Sequence, residues 1–351
     1  MKPFVTVMDW IYGYEIPDEI EGLKIAFATP HSMMHEPRAF EKSNLELDYI
    51  MNGKDFNSIE EFNKFLERLR TNPELKEKEL EIVNSDPEKR NQLIYMELID
   101  QAWRSNGIEA CKNVMKSLLY SQSPSDAYIW IATNIAKTGE EDFNLLNIAY
   151  ELAKLTLDKK YFNENKGNFW GLIETRPYMR AFASFSDILW ADGEEEESIH
   201  NFEELLNLDS YDRIGIRLLL ASRYIYKKMY DKFDDLIKRF SNDKLNPFFL
   251  YPSALLSYIR NGPNHLDTKN TIRLAINSNP LIALGILSFD DYIDSNSIKF
   301  YTKRSYDEAQ YFLSIDEGTW YSEKGAESWL RDQLEIYEQE LSDISDNGAI
   351  A

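Results

Sequence analysis

TRPYMRAFASFSDILWADGEEEESIHNFEELLNLDS, residues 175–210, is the stretch whose reading decides the fold. Pro177 lies in the first turn expected of a helix, where its missing N–H costs no intrahelical bond. Phe182, Phe185, Ser186 and Leu189 follow at helical spacing, and Ala191-Asp192-Gly193 reads as a turn. Ser198, Phe202, Leu205 and Ser210 then continue the pattern on a second helix. One such helix pair cannot bury its own apolar face. Small residues let a neighbouring helix come close, aromatics fill the space between pairs, and the pairs must stack.

The large and small positions of this stretch are those of the tetratricopeptide (TPR) pattern. Downstream, Thr268, Ile272, Ala275 and Pro280 keep the second-helix spacing, and the interval from Ser210 to Pro280 holds two more units of roughly 34 residues. Upstream, Leu93, Ile94, Met96, Leu98 and Trp103 predict a helix that stops at Asn106-Gly107, followed by one carrying Cys111, Val114, Met115 and Leu118. Ser123-Pro124-Ser125-Asp126 restarts the alternation, with Gly139 between two further helices and extra chain over 158–174. Ser58 and Glu61 form a capping-box signature, and a charged helix is expected over 73–83. Pro3, Pro17, Pro30 and Pro37 argue against a long helix in residues 1–57. The expected architecture is therefore all-α. It is a TPR-like right-handed superhelix of antiparallel helix pairs over 58–330, with an irregular N-terminal module over 1–57 and an acidic C-terminal helix and tail over 331–351.

Composition narrows the function classes. With 60 acidic against 39 basic residues the net charge is −21, which repels a phosphate backbone and argues against nucleic acid as a partner. The same charge favours solubility and attraction to basic partners. The 21 Tyr, 19 Phe and 7 Trp give a folding composition, and 14 Gly with 12 Pro leave little room for the turns of an all-β chain. Cys111, the single cysteine, is expected to be a buried, inert thiol, which fits a reducing compartment. The first apolar run is interrupted by Asp9, a poor signal peptide, and no segment reaches the roughly 18 apolar residues of a membrane span. The expectation is a cytoplasmic protein without membrane contact.

The most suggestive cluster is Trp170, Glu174, Arg176, Tyr178 and Arg180, because a forked guanidinium beside aromatics can clamp a carboxylate or phosphate. Arg176 and Arg180, four apart, share a helix face, and Arg213 with Arg217 repeat that spacing, so together they predict a basic stripe. The competing reading pairs these arginines with Glu174 and neighbouring helices to fix the register between repeats. His31, His35 and Glu36 have metal-ligand spacing, but Pro30 and Pro37 leave barely one helical turn between them. His200 and His265 stand alone, and Glu194–Glu197 reads as helix-capping charge. Phosphate-loop, dinucleotide, hydrolase-elbow and paired-cysteine signatures are absent, so neither a cofactor nor an enzyme is expected.

GNFWGLIETRPYMR at 167–180 resembles a block of a bacterial TPR-like family of uncharacterised proteins related to the eukaryotic suppressor-of-tumorigenicity-seven proteins. LNLDSYDRIGIRLLL at 206–220 is similar to the same family, keeping Leu206, Asn207, Asp212, Gly215, Ile216 and Arg217. SYDEAQYFL at 305–313, Trp320 and GAESWL at 325–330 resemble its closing block. The likeness spans about 121–330 and departs at Ser210, where the pattern has Pro, and through 281–304. It implies a TPR-like superhelix and no assigned reaction. The expected function is a protein-interaction module or scaffold that holds a partner protein or peptide in a concave groove, with a homo-oligomer as a further option. The alternative is an effector or metal-dependent enzyme whose chemistry sits in the N-terminal module.

Overall fold

The computed structural model describes residues 37–288, 302–316 and 318–348, and all regular elements among them are helices. The N-terminal expectations for residues 1–36, with His31, His35 and Glu36, lie outside the described residues. By contact the described chain divides into two compact units, residues 37–165 with 169–188, and residues 166–168 with 189–348.

The first unit contains α1 (Pro37–Met51), α2 (Ile59–Thr71), α3 (Pro73–Ser85), α4 (Pro87–Arg104), α5 (Gly107–Ser117), α6 (Ser125–Ile135), α7 (Gly139–Lys154), α8 (Lys159–Asn165) and most of α9 (Arg176–Ala191). Their starts are written in the sequence. Ser58 accepts the Glu61 N–H at 3.1 Å while the Glu61 carboxylate accepts the N–H of Asn57, a reciprocal clasp one residue wider than a capping box. Thr138 and Glu141 repeat this arrangement at α7, with Lys137 as the second donor. Asn72-Pro73 and Asp86-Pro87 each put an accepting side chain at the cap and a proline in the first turn. Helices α4 and α5 pack as one neighbour pair and α6 and α7 as the next. Tyr150 of α7 stacks on Phe182 and Phe185 of α9, which carries the packing onward.

The second unit contains α10 (Glu195–Leu208), α11 (Ile216–Tyr226), α12 (Tyr230–Arg239), α13 (Pro247–Asn261), α14 (Leu266–Ser278), α15 (Pro280–Leu287), α16 (Tyr306–Asp316) and α17 (Ala326–Gly348). Between Ser210 and Pro280 lie two helix pairs, α11 with α12 and α13 with α14, as the spacing predicts. The pattern positions Ser198, Phe202, Leu205, Thr268, Ile272 and Ala275 are all buried. Arg223, itself 2% exposed, lies over Trp190 at 4.4 Å and Phe202 at 4.9 Å, so a cation fills the place an apolar side chain would take. Phe248, Tyr251, Phe312 and Trp320 form the aromatic core where α13 and α16 meet the turn Thr319–Ser322. No helix among the described residues is long and apolar enough to cross a membrane.

Two boundaries move. Residues 37–51 form a continuous helix, because Pro37 begins α1 instead of breaking it, and α1 packs on α3 and α4 inside the first unit. The expected irregular module therefore does not extend to residue 57. At the other end, α17 runs unbroken through residue 331, with Trp329, Leu330 and Leu334 buried along one face, so the acidic helix is continuous with the packed core. Glu195 and Glu196 do open α10, but both also hold Lys227, the C-cap residue of α11, and are not merely solvated.

The turn before α11 explains the sequence SYDRIG. Asp212 has φ of +49° and Gly215 φ of +83°, and the Asp212 carboxylate accepts the N–H groups of Ile216 at 2.7 Å and Arg217 at 2.9 Å. Asp212→Ala removes this cap and leaves a Cβ residue without side-chain compensation in left-handed backbone, a loss of about 2–3 kcal/mol. Asp212→Asn keeps the acceptor and tolerates that backbone, so its loss should be about half as large. Chemical-denaturation midpoints of the two variants check the order, and equal losses would contradict this cap.

Candidate functional site

Arg180 anchors the cluster singled out from sequence, and it is almost fully buried at 1% exposure. Its fork donates from Nε to Asp126 Oδ1 at 2.8 Å, from Nη2 to Asp126 Oδ2 at 2.7 Å and from Nη1 to Glu41 Oε1 at 2.7 Å. Asp126 also receives Arg38 at 3.3 Å, and Glu41 receives Arg176 at 3.4 Å. Arg176 Nε donates to the Trp170 carbonyl at 2.9 Å, while the Trp170 ring lies under both guanidinium groups, 5.3 Å from that of Arg176 and 5.9 Å from that of Arg180. Arg38 lies over Trp103 at 4.9 Å. Three cations and two anions from α1, α6 and α9 are thus packed between two indoles.

Local folding sets these positions. Thr175 donates its hydroxyl to the Phe169 carbonyl and to that of Leu172 at 3.0 Å, closing the short turns Phe169–Gly171 and Ile173–Thr175 that deliver Arg176 to the start of α9. Asp126 occupies the first turn of α6, where the helix dipole favours a carboxylate. Burial works to raise its carboxyl pKa, but the charges of Arg180 and Arg38 outweigh burial and hold it at about 2. Burial likewise works to lower the Arg180 pKa, and Asp126 with Glu41 more than reverse it. Asp126 and Arg180 therefore stay charged across the physiological range.

The other candidates sort by their surroundings. Tyr178 is buried in a ring cluster with Tyr150, Phe162, Phe169 and Phe182, so it is core. Glu174 is exposed and adds to the raised pKa of Asp48, for which burial is the larger cause. The acids that take the arginines are Glu41 and Asp126, distant in sequence, and not Glu174. In the second unit Arg213 donates to Asp209 Oδ1 at 2.7 Å and to Asn168 at 3.1 Å. Arg217 reaches Asp212 at 2.8 Å and Asp243 at 2.8 Å. Each arginine of the predicted stripe therefore meets an internal carboxylate.

Those bonds also bring two of the quoted sequence blocks together. Gly167, at φ of +98°, donates its N–H to the Leu208 carbonyl and accepts from Ser210 N–H, both at 2.9 Å, bridging to Asp209. A side chain at Gly167 would need that left-handed backbone and would press on Ser210 Oγ. Cys111 is buried, and burial pushes its thiol pKa up, so it is protonated and unreactive at neutral pH. His200 is exposed, and His265 caps α14 by accepting the Asp267 N–H. Among the described residues no group of His, Cys, Asp and Glu is arranged to hold a metal ion.

A groove lies elsewhere among the described residues, and sequence reasoning missed it. A groove of about 730 Å³ in the second unit runs between α14 and α17. Tyr258, Trp329, Ile272 and Ile276 line it, with Lys269 and Arg273 on the α14 side and Asp332 and Glu340 on the α17 side. Tyr258 and Trp329 pack with ring centroids 4.9 Å apart. Tyr258 donates its hydroxyl to the Lys324 carbonyl at 3.2 Å, and a Cβ at Gly325 would come within 2.9 Å of that hydroxyl. The readable signal was the period of Trp329, Gln333, Ile336 and Glu340 along one face of α17.

Removing Arg180 should strand two buried carboxylates. Arg180→Met is expected to destabilise the protein by about 3–5 kcal/mol in chemical denaturation, and a change below about 1 kcal/mol would contradict the lock. An unfolded Asp titrates near ~3.9. Because the folded value is lower, the unfolded chain binds the extra proton between the two, so stability falls as pH drops from about 4 to about 2. Asp126→Asn should flatten that part of a stability-against-pH curve. Comparison with family models, curated proteins and solved structures finds no match to this chain.

Proposed function

We propose that this chain is a TPR-like interaction module that holds a segment of a partner protein, and that its seat is the groove between α14 and α17. The carrying observation is that groove, whose aromatic floor is fixed by the Tyr258 hydroxyl bond and the close approach of Gly325. Its volume falls within the range of specific binding sites, about 300–1,000 Å³. The arginines first considered for capture are engaged inside the chain, which moves the binding assignment away from Arg176, Arg180, Arg213 and Arg217.

The reading places the protein in the cytosol and assigns it no catalytic step. Cys111 is a buried thiol, His200 is exposed, and His265 serves as the cap of α14. The superhelical stacking of the helix pairs and the kinship with the TPR-like bacterial family belong to the same proposal, supported by the buried pattern positions and the bridging of the two quoted blocks.

Affinity capture from the native cell with the full chain tests this reading. Ile336, 49% exposed on the groove wall, tolerates a polar replacement without opening the core. Ile336→Asp should reduce the captured partner by at least about fivefold with the unfolding midpoint unchanged, whereas Arg213→Ala should leave capture intact. Equal recovery with Ile336→Asp would reject the groove. Light scattering that showed a dimer abolished by the same substitution would instead make a second copy the occupant.

A further inference from the structure

Resting on the groove assignment above, we infer that the occupant is an extended, basic segment of a partner protein, with apolar side chains on the Tyr258–Trp329 floor and Lys or Arg side chains against α17. Three observations converge on this chemistry. The first is shape. The α17 lining runs from Ser328 to Glu340, about 18 Å along a helix, which an extended chain spans in about five to six residues. The flat rings of Tyr258 and Trp329 suit the preformed apolar ridges of a polyproline-type strand.

The second is the charge of the wall. The charged residues that α17 gives the groove are Asp332 and Glu340, both acidic, within a chain of net charge −21. Asp332 lines the groove, is exposed, and is held by no ion pair among the described residues. The third is the state of the other wall acid. Glu340 pairs with Arg273 at 2.7 Å, but the two side chains are 42% and 63% exposed. Such an exposed pair contributes little, so an incoming cation replaces Arg273 at small cost. Trp329 and Tyr258 add face attraction for the same cation. Lys269 and Arg273 on the opposite wall repel a basic chain from α14 and so fix which wall its charges face.

The test measures fluorescence anisotropy of a labelled short peptide of repeated Lys-Pro-Leu triplets with the full chain, against otherwise equal Ser-Pro-Leu and Glu-Pro-Leu peptides. The expected result is binding of the Lys peptide at least about tenfold tighter than the Ser peptide, no binding of the Glu peptide, and loss of about tenfold for Asp332→Lys. Glu77→Lys, an exposed reversal in the first unit, should leave the Kd within about twofold. Equal binding of Lys and Ser peptides, lost in Ile336→Asp, would overturn the basic occupant and keep the groove. Lys-peptide binding that Asp332→Lys and Glu77→Lys weaken alike would reveal generic attraction to an acidic surface and overturn the inference. Failure of every peptide to bind would overturn both it and the groove.

Discussion

The first unit depends on the buried fork of Arg180. Helices α1, α6 and α9 each contribute charge to one desolvated cluster, and Arg180 touches both carboxylates with short bonds. A guanidinium is suited to this position because it stays protonated and presents its donors in a fixed plane, so Asp126 is met by two parallel bonds while Glu41 takes a third. The indoles of Trp103 and Trp170 cover the guanidinium faces and exclude the water that would otherwise weaken the pairs. Buried charges of this kind specify geometry more than they add net stability, since a misplaced helix leaves an unpaired ion in the interior.

That constraint explains why a strongly acidic chain keeps arginines at regular spacing without presenting a basic surface. In both units the pattern is the same. An acid at a helix start or turn receives an arginine, Asp126 with Arg180 in the first and Asp212 with Arg217 in the second. Around Asp212 the same carboxylate also caps α11, so one residue ties a turn, a helix start and an ion pair together. Glu41, Asp209, Glu308 and Asp316 are buried as well, so the acids of the described residues divide between the interior and the solvated faces.

Much of the fold was legible because helix signals are local. The cap at Ser58 and the small and large residues from Phe182 to Leu205 act within a few positions of themselves. Pro37 misled for the same reason: a proline breaks a helix from its interior and opens one from its first turn, and α1 continues for 15 residues from Pro37. The ion cluster was half legible. Spacing put Arg176 and Arg180 on one face, but nothing local marks Glu41 or Asp126 as their partners, because 139 and 54 positions separate those acids from Arg180. The groove was least legible, since it arises from α14 and α17 meeting through long-range packing, and its wall looked like the start of an acidic tail.

Native-state hydrogen exchange of the α1 backbone tests the central claim most directly. If the Arg180 fork binds α1 into the first unit, amides of residues 41–50 should exchange only through the same cooperative opening as α6 and α9, with equal opening free energies. Fast, independent exchange of α1 while α6 and α9 remain protected would show that the buried pairs do not hold the helix, and would contradict that claim.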